Sequence, residues 1–508
     1  MNIMEAIKTE SADSNLVNTE NGALGYANCR SAIVDFFYKI STFRQEEATK
    51  KQTAFLKALA EDKDLAYRML FFSRDIRQGL GERQLFRDVF DTLDPKVIKA
   101  LFKLIPEYGR WDDVLDVLRN DGIDEALRDE ILSFVQEQFN EDLRNCAEGK
   151  PISLLAKWMP SIRKVSKDKV RMAKFLAGRF GITEKEYRKA LSALRAHLKV
   201  VEKQMSEGKW GEIDFEAVPS KAAKNYRGAF MKHDEARYRE YLGKLETGEA
   251  KVNAGAIFPY EIVSAYRIGY GVKSKVDTLL ENQWKALPLP KGLLENAIVV
   301  RDGSGSMTTN VSGQSTALDV ATALAVLTSE HLKGPFKDRF ITFSNRPKFV
   351  DLGGCQNLQQ KLNMAFAEAE CANTDIEATM DLVLHAVVNN GIKQEDIPAI
   401  VIISDMEFDE ARGSYGWNRR DDLSQEVLFK TIRKTWNAAG YDLPKIVFWN
   451  VASRTGAVPM QENDNGLVLV SGFSQNIMDM LAGNGTMIDI IRKKLNVARY
   501  DAITKALS

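Results

Sequence analysis

The stretch NAIVVRDGSGSMTT, residues 296–309, decides the fold of the C-terminal part of this 508-residue chain. Ala297, Ile298, Val299 and Val300 form an apolar run that empties into Asp302 and a loop of glycines and serines. An apolar, β-branched run bounded by Gly and Ser is the pattern of a strand buried on both faces, as at the centre of a parallel sheet. Asp302, Ser304 and Ser306 then fall at alternate positions with small glycines between them. One tight loop can therefore aim a carboxylate and two hydroxyls at the same point.

Downstream of this stretch, strand-like runs alternate with helical patterns. AIVVRD is followed by a helix at about 316–332, DRFITFS, helices at about 358–369 and 376–389, AIVIISD, a helix at about 425–438, and KIVFWNVAS. That alternation predicts βαβ units and a doubly wound, parallel, Rossmann-like sheet. Ligands in such sheets sit at the carboxyl ends of the strands. Asp302 and Asp405 both occupy that edge. Upstream, residues from about 32 to 245 repeat apolar positions three and four apart, as in KQTAFLKALAEDKDLAYRMLFFSRDI and ALRDEILSFVQEQFNEDL. Short connections between such helices predict an α-solenoid of helix pairs. The cluster LPLPKG at 287–292 marks the boundary, giving a helical domain over 15–290 and an α/β domain over 291–508.

With 44% apolar, 28% charged and 9% aromatic residues the chain has the composition of a soluble globular protein of two or more domains. No run approaches the length of a membrane span, and the opening MNIMEAIKTESADSN lacks a basic flank and an apolar core, so neither a span nor a secretory signal is expected. Cys29, Cys146, Cys355 and Cys371 are scattered without a CxxC pair, which fits a reducing cytoplasm. The net charge of zero conceals an asymmetry. Residues 157–203 carry fourteen Lys or Arg against four Asp or Glu, a net of +10 in 47 positions. This predicts a polyanion-binding surface in the first half.

The other oxygen donors expected at the sheet edge come from two loops. AIVIISDMEFDE supplies Ser404 and Asp405, and ECANTDIEATM places Thr374 and Asp375 just before a helix. A hard cation such as Mg²⁺, or alternatively Mn²⁺, takes six oxygen ligands and keeps some as water or partner oxygens. Asp302, Ser304, Ser306 and Thr374 can supply such a set, with Asp405 binding directly or through water. The DxSxS…T…D order resembles the metal-ion-dependent adhesion site of von Willebrand factor A domains. That resemblance implies a metal held by Asp302, Ser304 and Ser306 from the first loop, Thr374 from the second and Asp405 from the third, with one position open to an acidic group of a partner. The plainer reading of Ser304, Ser306 and Thr374 is as loop and helix-cap residues.

In the first half, TENGALGYANC at 19–29, SRDIRQGLGERQLF at 73–86, IPEYGRWDD at 105–113, LLAKWMPS at 154–161 and VPSKAAKNY at 218–226 resemble the TROVE module of Ro-autoantigen-like proteins. The likeness is nearer to a bacterial and viral branch that joins such a module to an A domain, and it spans residues 19–483. It implies HEAT-like helices closed into a ring, single-stranded RNA ends in the central hole, and small structured RNAs on a basic outer surface. The implied role is RNA quality control or ribonucleoprotein assembly by binding, without cutting. Candidate RNA contacts are Lys157, Arg163, Lys164, Lys167, Lys169, Arg171, Lys174, Arg188, Lys189 and Lys221. Each phosphate neutralised by such a residue makes affinity fall with salt. Arg74, Arg77 and Arg83 surround the glycines of RQGLGER, where phosphate capture and an inter-helix turn pinned by Asp75 and Glu82 are equal alternatives. Trp111 of GRWDD reads first as a packed core residue. In the loop after Asp405, Arg412, Trp417, Arg419 and Arg420 suit stacking on bases and pairing with phosphates, and docking of this loop against the helical module is an equal alternative.

The expected function is therefore non-catalytic RNA binding, with small structured RNA and single-stranded 3′ ends as partners, and with an exonuclease or another protein held through the metal domain. The alternative is an adaptor that grips a partner's carboxylate through the metal. An enzyme is the weakest reading. His197, His233, His331 and His385 lie in separate segments without ligand spacing, and no GxxxxGK[ST] run is present. A nuclease would want two metals about 3.5–4 Å apart or a base of tuned pKa.

Overall fold

The computed structural model describes residues 15–120, 122–162, 166–343, 347–368, 375–409, 427–459 and 467–508. Strands β1 (Ala297–Asp302), β2 (Arg339–Phe343), β3 (Phe349–Asp351), β4 (Ala399–Ser404), β5 (Ile446–Asn450) and β6 (Leu467–Ser471) form one sheet in the order β6-β5-β4-β1-β2-β3. Five strands run parallel, and β3 pairs antiparallel with β2 at one edge, so the sheet is mixed rather than wholly parallel. Every residue of β1 is buried, as its uninterrupted apolar run requires. Pairing of Ile403 with Arg301 brings the carboxyl ends of β4 and β1 level with each other.

The helices between these strands stand where the periodicity places them, at Ala317–His331, Leu358–Ala367, Ile376–Asn389 and Leu428–Ala438. Ala317–His331 is buried on all sides from Ala317 to Ser329, because the helix Pro259–Tyr266 covers the face turned away from the sheet. Thr316 caps it and forms a reciprocal box with Asp319. The run KQTAFLKALAEDKDLAYRMLFFSRDI is two helices, Ala48–Glu61 and Lys63–Arg74. The break falls at Asp62, whose backbone is extended and whose carboxylate accepts from Leu65 N at 3.0 Å.

The chain divides into two compact units, one of residues 1–69 with 257–496 and the other of residues 70–256 with 497–508. The packing thus groups the N-terminal segment up to residue 69 with the chain from 257 onward. Residues 15–69 join the sheet-bearing unit through backbone bonds that no local pattern announces: Tyr26 and Val458 exchange two hydrogen bonds of 2.8 and 2.7 Å, and Ser41 N donates to Ser471 Oγ at 3.0 Å.

In the other unit the turn RQGLGER, for which the sequence leaves phosphate capture and a pinned inter-helix turn as equal alternatives, is held by Asp75. Asp75 accepts from Arg77 N at 2.9 Å and Gln78 N at 3.3 Å, and from the side chains of Arg499 and Tyr500. Gly79 is confined so tightly that a Cβ there would lie 2.0 Å from Phe72 O. Arg74, read as an RNA contact, is buried at 2% exposure against the buried carboxylate of Asp113, with Nη2 2.6 Å and Nε 2.9 Å away. Asp113 also takes Arg87 Nε at 2.8 Å and the backbone N of Arg110 at 2.9 Å. Removing one partner of such a network leaves an uncompensated buried charge. Asp113→Ala is therefore expected to destabilise this unit by about 3–5 kcal/mol in denaturant titration, and a loss under about 1 kcal/mol would show the network to be dispensable.

Candidate functional site

Asp302 ends β1 with its carboxylate fully buried. Its Oδ1 accepts from Ser304 N at 2.9 Å and its Oδ2 from Ser404 Oγ at 2.6 Å. The hydroxyls of Ser304 and Ser306 stand 2.9 Å apart. Asp405 follows β4 directly, is 1% exposed, and receives a hydrogen bond from the Ser306 side chain. Burial raises the pKa of both carboxyls, and the charge of Asp302 helps to push Asp405 up to about 7. Arg301, beside Asp302 in sequence, points to the opposite face because strand side chains alternate. Its guanidinium donates to Thr322 Oγ1, Ala365 O and Glu368 O. The cation at the pair is Arg454, with Nη2 3.5 Å from Asp405 Oδ2 and a second ion pair to Glu20.

The donors gathered here are two carboxylates and two hydroxyls, all oxygen, which suits a hard divalent cation. Among the described residues no three His, Cys, Asp or Glu side chains come together as a metal cluster, so hydroxyls are essential to this set. Thr374, the fifth expected ligand, lies outside the described residues. Its neighbour Asp375 caps the helix Ile376–Asn389, accepting from Ala378 N at 3.0 Å.

A residue that sequence reasoning missed holds this edge together. Glu407 is fully buried two positions after Asp405. Its Oε1 accepts from Arg454 N at 2.7 Å, Thr455 N at 2.9 Å and Ser453 Oγ at 3.3 Å, and its Oε2 from Glu20 N at 2.8 Å. Thr19 Oγ1 donates to Phe408 O and Asn21 Nδ2 to Glu407 O, both at 2.6 Å. The loop carrying Asp405 is thereby tied to the β5–β6 connection and to the N-terminal hairpin Leu16–Tyr26. Met406, between the two acids, takes a left-handed conformation at φ 63°, a strain sustained by these bonds on either side. In sequence Glu407 is only one acid among several in MEFDE, and no spacing marks it.

The basic candidates separate by burial. Arg74 belongs to the core described above. Arg77 and Arg83 are exposed, with Arg77 Nη1 3.0 Å from Glu107 O and Arg83 4.0 Å from Asp112. Lys157 and Lys221 are half-buried. Lys167, Lys169 and Arg171 stand exposed on the helix Lys167–Arg179, and Arg188 and Lys189 on the helix Glu184–His197. Among the described residues these five make no ion pair, whereas Lys174 pairs with Glu184 at 3.1 Å and Arg179 with Asp129. A cavity of about 580 Å³ beside them is lined by Ser161, Tyr187, Arg188, Lys189, Arg195 and Lys203 among others. Arg195 is committed to the fold, donating to the carbonyls of Ala156 and Met159. Arg163, Lys164, Arg412, Trp417, Arg419 and Arg420 lie outside the described residues.

The chain is similar to two protein families and to a viral relative. The model of the "Domain of unknown function (DUF2828)" family matches residues 19–94 and 107–288, just over half of the chain. The chain belongs to the DUF2828 family. A second model, "Domain of unknown function (DUF7788)", matches residues 296–503, which include Asp302, Ser304, Ser306 and Asp405. An uncharacterized protein of Acanthamoeba polyphaga mimivirus is 31% identical over 503 residues, covering 92% of this DUF2828 chain and 84% of the viral one. Among solved structures, the crystal structure of the Deinococcus radiodurans RO (RSR) protein aligns with a TM-score of 0.38 at 17% identity, over 87% of this chain and 92% of that one. No described helix of this DUF2828 member is long and apolar enough to cross a membrane.

Two outcomes follow from the site. Glu407→Ala strands several buried donors and is expected to lower stability by about 1–3 kcal/mol in denaturant titration, while Glu407→Gln recovers part of the loss. The folded Asp302 and Asp405 carboxyls hold protons that an ordinary carboxyl releases near pH 3.8. Without divalent cations, the stability contributed by the pair is full below that range and is lost as pH rises through about 7. Melting in EDTA across this interval reads the effect, and Asp405→Asn should flatten it. A rise in the pair's contribution with pH would contradict the assigned burial.

Proposed function

We propose that this chain is a non-catalytic RNA-binding protein of the cytoplasm whose α/β unit carries a divalent-cation site. The observation that carries the reading is the set of exposed basic side chains on two helices, Lys167, Lys169, Arg171, Arg188 and Lys189, which make no ion pair among the described residues, on a chain with no net charge overall. Such a set raises the local concentration of polyanions, and the adjacent cavity admits more than a flat surface would. The likeness of the helical half to RNA-binding TROVE modules supports the same ligand, with small structured RNAs and single-stranded 3′ ends as the forms bound.

Asp302, Ser304, Ser306 and Asp405 would hold Mg²⁺ or Mn²⁺, together with Thr374. When bound, the cation supplies a Lewis-acidic position for a phosphate or carboxylate oxygen. The chain's own part is to keep those oxygens dry and fixed, through Ser404 on Asp302 and Glu407 on the loop of Asp405. A protein partner such as an exonuclease would meet the chain at that edge.

Filter binding of a structured RNA with a single-stranded tail should show affinity falling steeply with salt. Reversing Lys167, Lys169 and Arg171 to Glu should flatten the slope of log K against log salt by about 2–3. An unchanged slope would remove these residues from the interface. Protein partners that co-purify without nucleic acid would favour the adaptor reading. For the cation, Asp302→Ala should abolish Mg²⁺ uptake in calorimetry while the helical unit keeps its circular dichroism, and unchanged uptake would disprove the ligand assignment.

A further inference from the structure

The segment RIGYGVKSKV, residues 267–276, forms a two-stranded hairpin, Arg267–Ile268 against Gly271–Val272, with Gly269 in the left-handed region at φ 54°. Its tip exposes two large side chains, Tyr270 at 89% and Ile268 at 63%. Neither contributes to a core, so the fold gives no reason for an aromatic ring there. The backbone beneath is rigidly held. Arg267 stacks over the ring of Phe366 at 3.9 Å, pairs with Asp319 at 3.1 Å, and donates from Nη1 to the carbonyls of Tyr270 and Gly271 at 2.8 and 3.1 Å. Gln359 Nε2 adds a bond of 2.9 Å to Lys273 O, and Lys273 N closes on Tyr266 O at 2.9 Å.

Position and charge narrow the partner. Asp319 lies in the first turn of the helix Ala317–His331, which leaves the loop bearing Ser304 and Ser306. The hairpin is therefore braced both on the start of that helix and, through Gln359, on the helix Leu358–Ala367. No acid occurs between positions 267 and 276, and Lys273 and Lys275 are exposed behind the tyrosine. An exposed ring on a braced hairpin, followed by Lys275 and by Lys273, whose ammonium also donates to Ala265 O at 2.7 Å, suits one base and its flanking phosphates. Because the backbone under the ring is already held, stacking orders only the tyrosine side chain itself.

We propose that this hairpin is a stacking platform for single-stranded RNA, with a base on Tyr270 and backbone phosphates on Lys273 and Lys275. The assignment rests on the RNA reading above and adds to it a contact in the α/β unit. Fluorescence anisotropy of a short labelled oligoadenylate with the full chain tests it. Tyr270→Ala is expected to weaken binding about tenfold, Tyr270→Trp to preserve it, and Lys273→Glu with Lys275→Glu to reduce the salt dependence. An unchanged melting temperature in each variant shows that the fold is intact, as the exposure of the tip requires. Binding of Tyr270→Ala within about twofold of the parent chain overturns the platform while leaving RNA binding in place. Absence of binding by the parent chain overturns both. A change in sedimentation or in vesicle binding of Tyr270→Ala, with RNA affinity unaltered, assigns the tip to self-association or to a lipid surface and also overturns the proposal.

Discussion

Two carboxylates that end adjacent parallel strands are the constraint around which the α/β unit is arranged. Asp302 and Asp405 arrive at one edge because β1 and β4 pair in level register and each is sealed on both faces by apolar residues. Burial leaves both poorly solvated and raises both pKa values, and the charge of Asp302 adds to the rise at Asp405. The surrounding groups answer that cost with donors. Ser404 and the backbone of Ser304 serve Asp302, while Ser306 and Arg454 serve Asp405. An edge of this kind is suited to a cation and, through it, to an anionic visitor.

The support behind that edge comes from distant parts of the chain. Glu407 gathers donors from residues 20 and 453–455 and thereby fixes the loop on which Asp405 sits. The N-terminal hairpin is thus part of the α/β unit by hydrogen bonding, although nearly two hundred residues of helices separate them in sequence. The cost of the left-handed Met406 is borne by the same network. Arg454 joins the two systems, since its backbone binds Glu407 and its guanidinium bridges Glu20 and Asp405.

In the helical unit, positive charge divides into two uses. Arg74, Arg87 and Arg195 are drawn inward, where they satisfy carboxylates and backbone carbonyls. Lys167, Lys169, Arg171, Arg188 and Lys189 remain outside without acidic partners among the described residues. Counting charge along the chain cannot separate these groups. Arg74 and Arg77, three residues apart, have opposite fates because Arg74 ends the helix against Asp113 whereas Arg77 lies in the exposed turn that follows it.

The sequence by itself determined β1, β2, β4 and β5, the helices between them, and the arrival of Asp302 and Asp405 at one sheet edge. Apolar runs and 3.6-residue periodicity are local signals, and a strand end followed by Gly and Ser leaves few alternatives. The strand β6 (Leu467–Ser471) was not among the strands read from the sequence, although its run LVLVS carries the same local signal. Only the tertiary structure decided that residues 15–69 join the sheet-bearing unit, that Glu407 is a buried hub, that RQGLGER is a pinned turn, and that Tyr270 stands alone on a braced hairpin. Each of these depends on contacts between residues far apart in the chain, and propensity and spacing carry no information about which distant partner a side chain will meet.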